Sequence, residues 1–326
     1  MLYIHGFADY FFQAHLGKRI TAAGYGFFAI DLRRYGRSLR SGQTANYTDD
    51  LSEYFEELDA AIRIITTELG YSKVVVMGHS TGGLIAPLWI SARAHARTPR
   101  EGGKRSASAK RQTAPIKSTT TPTETNHHTQ TTPTETNHHT QTTPPAGPIA
   151  ALVLNSPWIA MQGPAWWRAL GAVASRLLSP IAPRLPLSSM DVSYRRALHL
   201  TTGGEWAFDL SMRPEKGFPA RAAWLAAIRR GHRAVQRGLA LPVPVLVACS
   251  TENGPRSGNH ERLLTSDSVL DADRIAAASL KLGPRVDLVR FAGAHDLALS
   301  PEPIRTEYID TVAKWIEKAV DNLPQN

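Results

Sequence analysis

The chain has 326 residues, 42% of them hydrophobic, and a formal net charge of +9. A chain of this length and composition can bury a large core as one domain with an insertion. Its single cysteine, Cys249, excludes an intramolecular disulfide and C-x-x-C chemistry, and neither a signal-peptide pattern nor a run of about 18 apolar residues is present, so a cytoplasmic location is expected.

The first third of the chain alternates strand and helix patterns. Residues 2–4 form an apolar run that leads into His5-Gly6-Phe7, residues 27–30 form a second run, and the three valines 74–76 form a third that ends at Gly78. Helical patterns follow each run, at residues 10–23, at residues 49–69 with an acidic first turn, and after Ser80 to about residue 97. This alternation predicts strands joined by helices.

Residues 98–148 differ in composition from the rest of the chain. The unit TPTETNHHTQT occurs twice in tandem, at 121–131 and 132–142, within a tract that is rich in Thr, Pro, Gln and Lys. Such a tract cannot bury enough apolar surface to order itself, so we predict a disordered insertion whose deletion leaves activity nearly unchanged. The histidine pairs 127–128 and 138–139 could chelate a metal, but duplication of a low-complexity loop explains them, and no metal or cofactor is predicted.

The rest of the chain completes an α/β pattern around a helical cap. Residues 149–154, 243–248 and 286–291 read as strands, and residues 272–282 and 306–320 read as helices. Between them, residues 158–241 show no strand pattern and hold five of the seven tryptophans: Trp158, Trp166, Trp167, Trp206 and Trp224. We therefore predict a mostly parallel sheet covered on both faces, with core segments 1–97, 149–157 and 242–326 and a cap at 158–241.

The charge is concentrated in the cap. Residues 157–241 carry twelve Arg or Lys against four Asp or Glu, whereas the chain outside the cap and the insertion is mildly acidic. No base-stacking or helix-turn-helix pattern accompanies the basic residues, so nucleic-acid binding is not expected. The cap charge instead predicts a peripheral contact with an anionic lipid surface through Arg229, Arg230, Arg233 and Arg237.

Ser80 lies in the pattern G-x-S-x-G, between the valine strand and the following helix. The glycines at 78 and 82 allow a sharp turn on which neighbouring backbone passes close, and the serine hydroxyl is then presented at the tip. A serine hydroxyl needs a base to remove its proton and an acid to hold the base. Ser80 is therefore the candidate nucleophile.

His295 is the candidate base, because it lies in a small-residue loop directly after the last predicted strand. Asp267, Asp271, Asp273 and Asp296 are candidate acids. An acid in the loop before a helix is better placed than one within it, which favours Asp267 and leaves Asp271 as a helix cap.

The oxyanion of an acyl-transfer reaction needs two backbone N–H donors. Thr81 begins the helix after the nucleophile and is one candidate. Phe7 follows Gly6 in the turn after the first strand and is the other, since glycine lets the backbone approach the substrate.

Five segments together resemble the α/β-hydrolases, and more narrowly the monoacylglycerol lipase, lysophospholipase and serine aminopeptidase group. They are HGF at 5–7, DLRRYGRS at 31–38, GHSTGG at 78–83, DSVLD at 267–271 and GAH at 293–295. The resemblance implies an acid four residues before a second aspartate, as Asp267 stands to Asp271. It also implies two further strands before residue 2, so the strand at 27–30 is expected to be an exposed edge. The segment 251–265 is longer than in that group.

The resemblance implies a serine hydrolase that cleaves a carboxylic ester, such as a monoacylglycerol or a lysophospholipid-like substrate, without a cofactor. A serine aminopeptidase is the alternative within the group. That activity needs anionic groups to receive a substrate ammonium, and the cap is strongly basic. A third alternative is an inactive, truncated hydrolase-like protein whose repeat tract mediates binding.

Overall fold

Parallel strands form the central sheet of the protein, whose structure is a computed structural model that describes residues 1–97, 147–188, 192–258 and 261–321. Within these residues the sheet has six strands in the order β2-β1-β3-β4-β7-β8. The predicted disordered insertion, its tandem repeat and its histidine pairs lie outside the described residues, apart from 147 and 148. The strands of the described residues are β1 (Leu2–Ile4), β2 (Phe28–Ile30), β3 (Val74–His79), β4 (Ile149–Asn155), β5 (Pro186–Ser188), β6 (Ala220–Arg221), β7 (Val245–Ser250) and β8 (Val286–Phe291).

Helices cover both faces of this sheet, as the sequence predicted. Alternate side chains of the central strands face opposite sides: Val74 and Val76 enter one core, and Val75 and Met77 enter the other. Helices α1 and α8 close the second core, and α2, α3 and α7 close the first. The helices are α1 (Ala14–Ala22), α2 (Phe55–Arg63), α3 (Gly82–Arg97), α4 (Ala165–Ile181), α5 (Ser193–Leu198), α6 (Ala222–Arg237), α7 (Ala272–Ser279) and α8 (Ile304–Asp321).

The cap lies between β4 and β7 and rests on the core through α6. Gly231 of α6 faces Leu84 and Leu88 of α3 so closely that an added Cβ would lie 3.0 Å from a Leu88 methyl carbon. Helix α4 packs on α6 and forms the outer layer of the cap. The expectation of a cap without strands is wrong in one detail, because β5 and β6 form a short antiparallel pair. Two or three residues per strand are too few to leave a period-2 pattern.

Several predicted boundaries also differ. Helix α1 starts at Ala14 rather than at residue 10, because the buried Gln13 side chain bonds to Asp296 and residues 10–12 form a loop. The segment 49–69 is not one α-helix. It opens with a 3-10 turn capped by Asp50, and it ends in a π-turn at Ile64–Glu68, where the hydroxyls of Thr66 and Thr67 bond back to backbone carbonyls.

Two further sequence expectations concern strands. Cys249 is fully buried in β7, as its apolar setting predicted. Strand β2 lies at one edge of the sheet within the described residues and pairs only with β1.

None of the helices in the described residues is long and apolar enough to cross a membrane.

Candidate active site

Ser80 occupies a strained turn between β3 and α3. Its φ is +52°, a left-handed conformation that is uncommon for residues other than glycine. The flanking glycines are required by close backbone contacts: a Cβ on Gly78 would lie 2.6 Å from the carbonyl oxygen of Gly82, and a Cβ on Gly82 would lie 2.4 Å from that of Ile4. The turn therefore has the geometry that the G-x-S-x-G spacing predicted.

The structure brings Ser80, His295 and Asp267 together in one hydrogen-bonded chain. The Nε2 of His295 lies 3.1 Å from Ser80 Oγ, and its Nδ1 lies 3.0 Å from Asp267 Oδ2. An ionised carboxylate accepts the Nδ1 proton, which leaves Nε2 free to accept the serine proton. All three side chains are buried. A serine, an imidazole and a carboxylate in this order can activate the hydroxyl as a nucleophile.

The long segment 251–265 does not displace the acid. It leaves the end of β7 and returns to it, because the backbone N–H of Asp267 donates to Glu252 O at 2.9 Å and that of Gly254 donates to Asp267 O at 2.7 Å. These two bonds hold Asp267 beside the second and fourth residues after the strand, at the carboxyl end of the sheet. The extra residues therefore form an excursion that leaves the acid in reach of His295.

Asp267 and Asp271 have different surroundings, as the sequence predicted. Burial by itself raises the pKa of Asp267, but the charge and hydrogen bond of His295 and the N–H groups of Leu270 and Val269 outweigh it and hold this pKa below its usual range. Asp271 instead caps α7, where its Oδ1 accepts the N–H of Arg274 at 3.1 Å. Asp267 is thus ionised and faces the histidine, whereas Asp271 supports a helix.

The two predicted oxyanion donors lie beside the serine. A Cβ on Gly6 would lie 3.1 Å from Ser80 Cβ, so the turn that carries Phe7 passes directly over the serine. Within the described residues, neither the N–H of Phe7 nor that of Thr81 has a hydrogen-bond acceptor. His5 fixes this turn, because its Nε2 accepts the N–H of Leu32 and its Nδ1–H donates to Gly6 O. Two unpaired donors next to a nucleophile can bind an oxyanion.

A buried polar network supports the site, and the sequence analysis missed most of it. Asp296, considered there only as a possible acid, does not bond to the His295 ring, whose partners are Asp267 and Ser80. It accepts from Asn155 Nδ2 at 2.7 Å, Gln13 Nε2 at 2.9 Å and the N–H of Ala298 at 3.1 Å. Asn155 also accepts the N–H groups of Ser80 and Leu297, through its backbone and side-chain oxygens respectively. The network thus links the nucleophile turn to the histidine loop. An asparagine that ends an otherwise fully apolar strand was the signal that could have identified it.

Tyr194 and His79 complete the surroundings of the imidazole. The hydroxyl of Tyr194, on α5 of the cap, accepts the N–H of Asp296 at 2.9 Å, so the cap contributes directly to the histidine loop. The ring of His79 lies 5.0 Å from that of His295, and burial lowers the pKa of His79. His79 therefore stays neutral beside His295 and does not add a competing positive charge.

A cavity of about 660 Å³ opens above Ser80 between the core and the cap. Two of the predicted cap tryptophans, Trp158 and Trp224, line it, whereas Trp206 packs against His15 and Trp166 is exposed. The other apolar lining comes from core and cap alike: Phe7, Met161, Leu170, Leu187, Leu225, Val269 and Leu270. The walls can therefore enclose an apolar chain whose reacting carbonyl lies at the serine.

The charged lining of the cavity is mostly basic. Asp9 is its one carboxylate within the described residues, and Asp9 Oδ1 lies 3.4 Å from Arg213 Nε. Arg195, Arg229 and Arg256 are the other charged residues of the lining. Among the described residues, no group of three or more His, Cys, Asp or Glu side chains could hold a metal ion.

Comparison with known proteins agrees with this architecture. Residues 1–103 match the Hydrolase_4 family, described as serine aminopeptidase, S33. The fold is similar to that of the monoacylglycerol lipase of Paleococcus ferrophilus, with a TM-score of 0.60, 17% identity and coverage of 98% of this chain and 93% of the other. The protein has the α/β-hydrolase fold. A monoglyceride lipase variant from Saccharomyces cerevisiae gives a TM-score of 0.63 at 14% identity, over 98% of this chain and 86% of that chain.

The curated relatives of this chain are similar to it over a shorter stretch. Mouse epoxide hydrolase 4 is 37% identical over 92 residues, which are 28% of this chain and 23% of the relative. Epoxide hydrolase 1 of Caenorhabditis elegans is 35% identical over 86 residues, or 26% of this chain and 20% of the relative. The matched stretch thus spans about a quarter or less of the curated relatives' length.

Proposed function

We propose that this α/β-hydrolase cleaves carboxylic esters through an acyl-enzyme on Ser80. The observation that carries the proposal is the hydrogen-bonded chain from Ser80 Oγ through His295 to Asp267, with both links near 3 Å. In this geometry the serine proton has an acceptor, the imidazole has a fixed tautomer, and the imidazolium that forms has a carboxylate beside it.

The reaction follows from these positions. As Ser80 Oγ attacks the ester carbonyl carbon, His295 Nε2 takes the hydroxyl proton, and the N–H groups of Phe7 and Thr81 donate to the developing oxyanion. The tetrahedral intermediate collapses when the bond to the alcohol oxygen breaks and His295 returns the proton to that oxygen. Water then attacks the acyl group with the same histidine as base, which releases the carboxylic acid and restores the serine.

The cavity favours an ester with an apolar acyl chain. Aromatic and aliphatic side chains of both core and cap line it, including Phe7, Trp158 and Trp224, and burial of such a chain supplies binding free energy without a specific polar contact. The similar folds of a monoacylglycerol lipase and a monoglyceride lipase support the same class. A monoacylglycerol or a lysophospholipid-like ester is therefore the proposed substrate.

A serine aminopeptidase is the second candidate, because the matched family carries that description. Its substrate would bring a free ammonium group into the cavity. Among the described residues, the lining holds Arg195, Arg213, Arg229 and Arg256 against the single carboxylate of Asp9, which already faces Arg213. This field disfavours a cationic substrate and favours a neutral or anionic one.

Epoxide opening, the reaction named for the curated relatives, fits the serine poorly. Attack of Ser80 Oγ on an epoxide carbon would form a serine alkyl ether and leave an alkoxide that takes the proton. Water activated by His295 cannot hydrolyse such an ether as it hydrolyses an acyl ester, so the enzyme would stop after one turnover. Ester cleavage forms an acyl-serine ester, which water can hydrolyse to restore Ser80.

The test compares three substrates with the purified full chain: p-nitrophenyl butyrate, an amino-acid p-nitroanilide and styrene oxide. We expect turnover of the ester alone, and we expect Ser80→Ala to abolish it together with labelling by a fluorophosphonate probe. Ser52→Ala, at an exposed serine that does not line the cavity, is the matched control and should behave as the parent. Faster cleavage of the anilide would favour the aminopeptidase, and absence of both turnover and labelling in the folded protein would favour an inactive hydrolase-like protein.

A further inference from the structure

Helix α4 presents apolar side chains outward from the cap. Five of them are more than half exposed, and the last is 81% exposed. At about 100° per residue they fall within an arc of roughly 80°, so they form one continuous stripe along the helix. This apolar stripe consists of Trp166, Leu170, Val173, Leu177 and Ile181.

A basic groove runs beside the stripe, between α4 and α6. These two helices contain six arginines and no acidic residue. The groove encloses about 990 Å³, and within the described residues no Asp or Glu side chain lines it. Of its arginines, Arg274 pairs with Asp271. The others, which define the arginine groove, are Arg168, Arg176, Arg229, Arg230 and Arg233.

No carboxylate of the described residues forms an ion pair with the arginine groove. Arg229 donates to the backbone oxygen of Arg168 at 3.0 Å, and Arg230 and Arg233 likewise bond to backbone oxygens. His232 also borders the groove, but its ring is buried, its Nε2–H donates to Trp158 O, and its pKa is lowered to about 4. The positive charge of the groove is therefore available to an anion that is not part of this chain.

The stripe lies between the arginine groove and the cavity above Ser80. Leu170 lines the cavity, Val173 lines the groove, and Arg229 lines both. A surface that covers the stripe would thus meet the arginines on one side and the cavity opening on the other. Arg237, which the sequence analysis included among the contacts, does not line the groove.

We propose that the stripe and the arginine groove together dock on an anionic lipid bilayer, with the stripe among the acyl chains and the groove holding lipid phosphate groups. An apolar helix face bordered by arginines is the pattern of an interfacial helix on an anionic membrane. A second copy of the chain fits this face less well, because a symmetric contact would bring the arginines of both copies together. Docking does not depend on the proposed ester hydrolysis.

The test is co-sedimentation of the full chain with vesicles of phosphatidylcholine alone or mixed equally with phosphatidylglycerol. We expect at least about tenfold stronger binding to the anionic vesicles, weakened by salt. Arg230→Gln combined with Arg233→Gln should weaken this binding roughly 25-fold, at about fivefold per arginine, whereas Arg63→Gln on α2 should not. Leu177→Ser combined with Ile181→Ser should abolish it, whereas the equally exposed Leu280→Ser should not.

Ser80→Ala should bind vesicles as the parent does, which separates docking from catalysis. Binding that is equal for both vesicle types and indifferent to salt would overturn the proposal. So would a dimer in solution, measured by light scattering, that the Leu177→Ser and Ile181→Ser changes dissociate, since the stripe would then be a contact between copies of the chain.

Discussion

Charged side chains at the carboxyl end of the sheet and on the outer face of the cap differ in burial and in hydrogen-bond partners. At the sheet, Asp267 and Asp296 are buried, and each accepts three or more hydrogen bonds from named donors. On the cap, the arginines of the groove are half-buried or exposed and lack carboxylate partners within the described residues. The first arrangement fixes side chains relative to one another, and the second leaves charge available to an external group. Substitutions at the sheet should therefore alter chemistry or folding, and those on the cap should alter what the protein binds.

Loss of the imidazole should have the largest effect. We expect His295→Ala to lower kcat for p-nitrophenyl butyrate by roughly 10⁵ to 10⁶, because the serine then has no base, with the thermal transition largely retained. His95→Ala, an exposed histidine of α3, is the control and should keep full activity. A folded His295→Ala protein with near-normal kcat would break the distinction between the two regions.

Asp267→Asn should lower kcat by about 10⁴, because an amide cannot hold the imidazole tautomer as a carboxylate does. The matched change Asp271→Asn should leave kcat unaltered, since asparagine caps a helix as well as aspartate. Steady-state kinetics of both variants at pH 7 provides the measurement. If Asp271→Asn were the crippling change, the acid would have been assigned to the wrong carboxylate.

His232 lies where the two regions meet, and it should make stability depend on pH. Burial lowers its pKa in the folded protein to about 4, below the value of 6.5 expected when unfolded, so the unfolded chain binds the proton first. The free energy of unfolding should fall as the pH drops from 6.5 to 4, by up to about 3 kcal/mol from this residue. Urea titrations between pH 7 and 5 should show a smaller loss for His232→Gln than for the parent. Equal losses would indicate that the ring titrates normally.

Asp296→Asn tests whether the second buried carboxylate is structural. The new amide group would point N–H donors at Gln13 or Asn155, which already donate to this position, so we expect a loss of about 2 kcal/mol in the free energy of unfolding. Activity of the folded variant should fall much less than that of Asp267→Asn. Chemical denaturation together with kcat of both variants checks this, and a greater loss of kcat for Asp296→Asn would reverse their roles.

The sequence predicted the three candidate catalytic residues better than the buried polar network around them. Ser80, His295 and Asp267 lie at strand ends that local patterns identify, and parallel strands bring their carboxyl ends to one edge. The network of Gln13, Asn155 and Asp296 joins residues far apart in the chain, so no local spacing reveals it. Gln13 also explains why α1 begins four residues later than predicted, because its side chain bonds to Asp296 and residues 10–12 are not helical.

The outer cap face was predicted only in part. The basic composition of 157–241 was readable, but which arginines share a groove depends on how α4 packs on α6. The apolar residues of α4 recur at helical spacing, but that spacing does not tell whether their face meets the core or the solvent. In the structure they face outward, because α4 packs on α6 and α6 covers the core.

The central claim is that Ser80 carries the acyl group, and trapping that group tests it most directly. The full chain is mixed with excess p-nitrophenyl butyrate, quenched in acid within the first turnovers, digested and analysed by mass spectrometry. The account predicts a butyryl adduct on the peptide that contains Ser80, and its accumulation in Asp267→Asn if deacylation slows more than acylation. A butyryl group on a different residue, or turnover by a Ser80→Ala protein, would contradict the account.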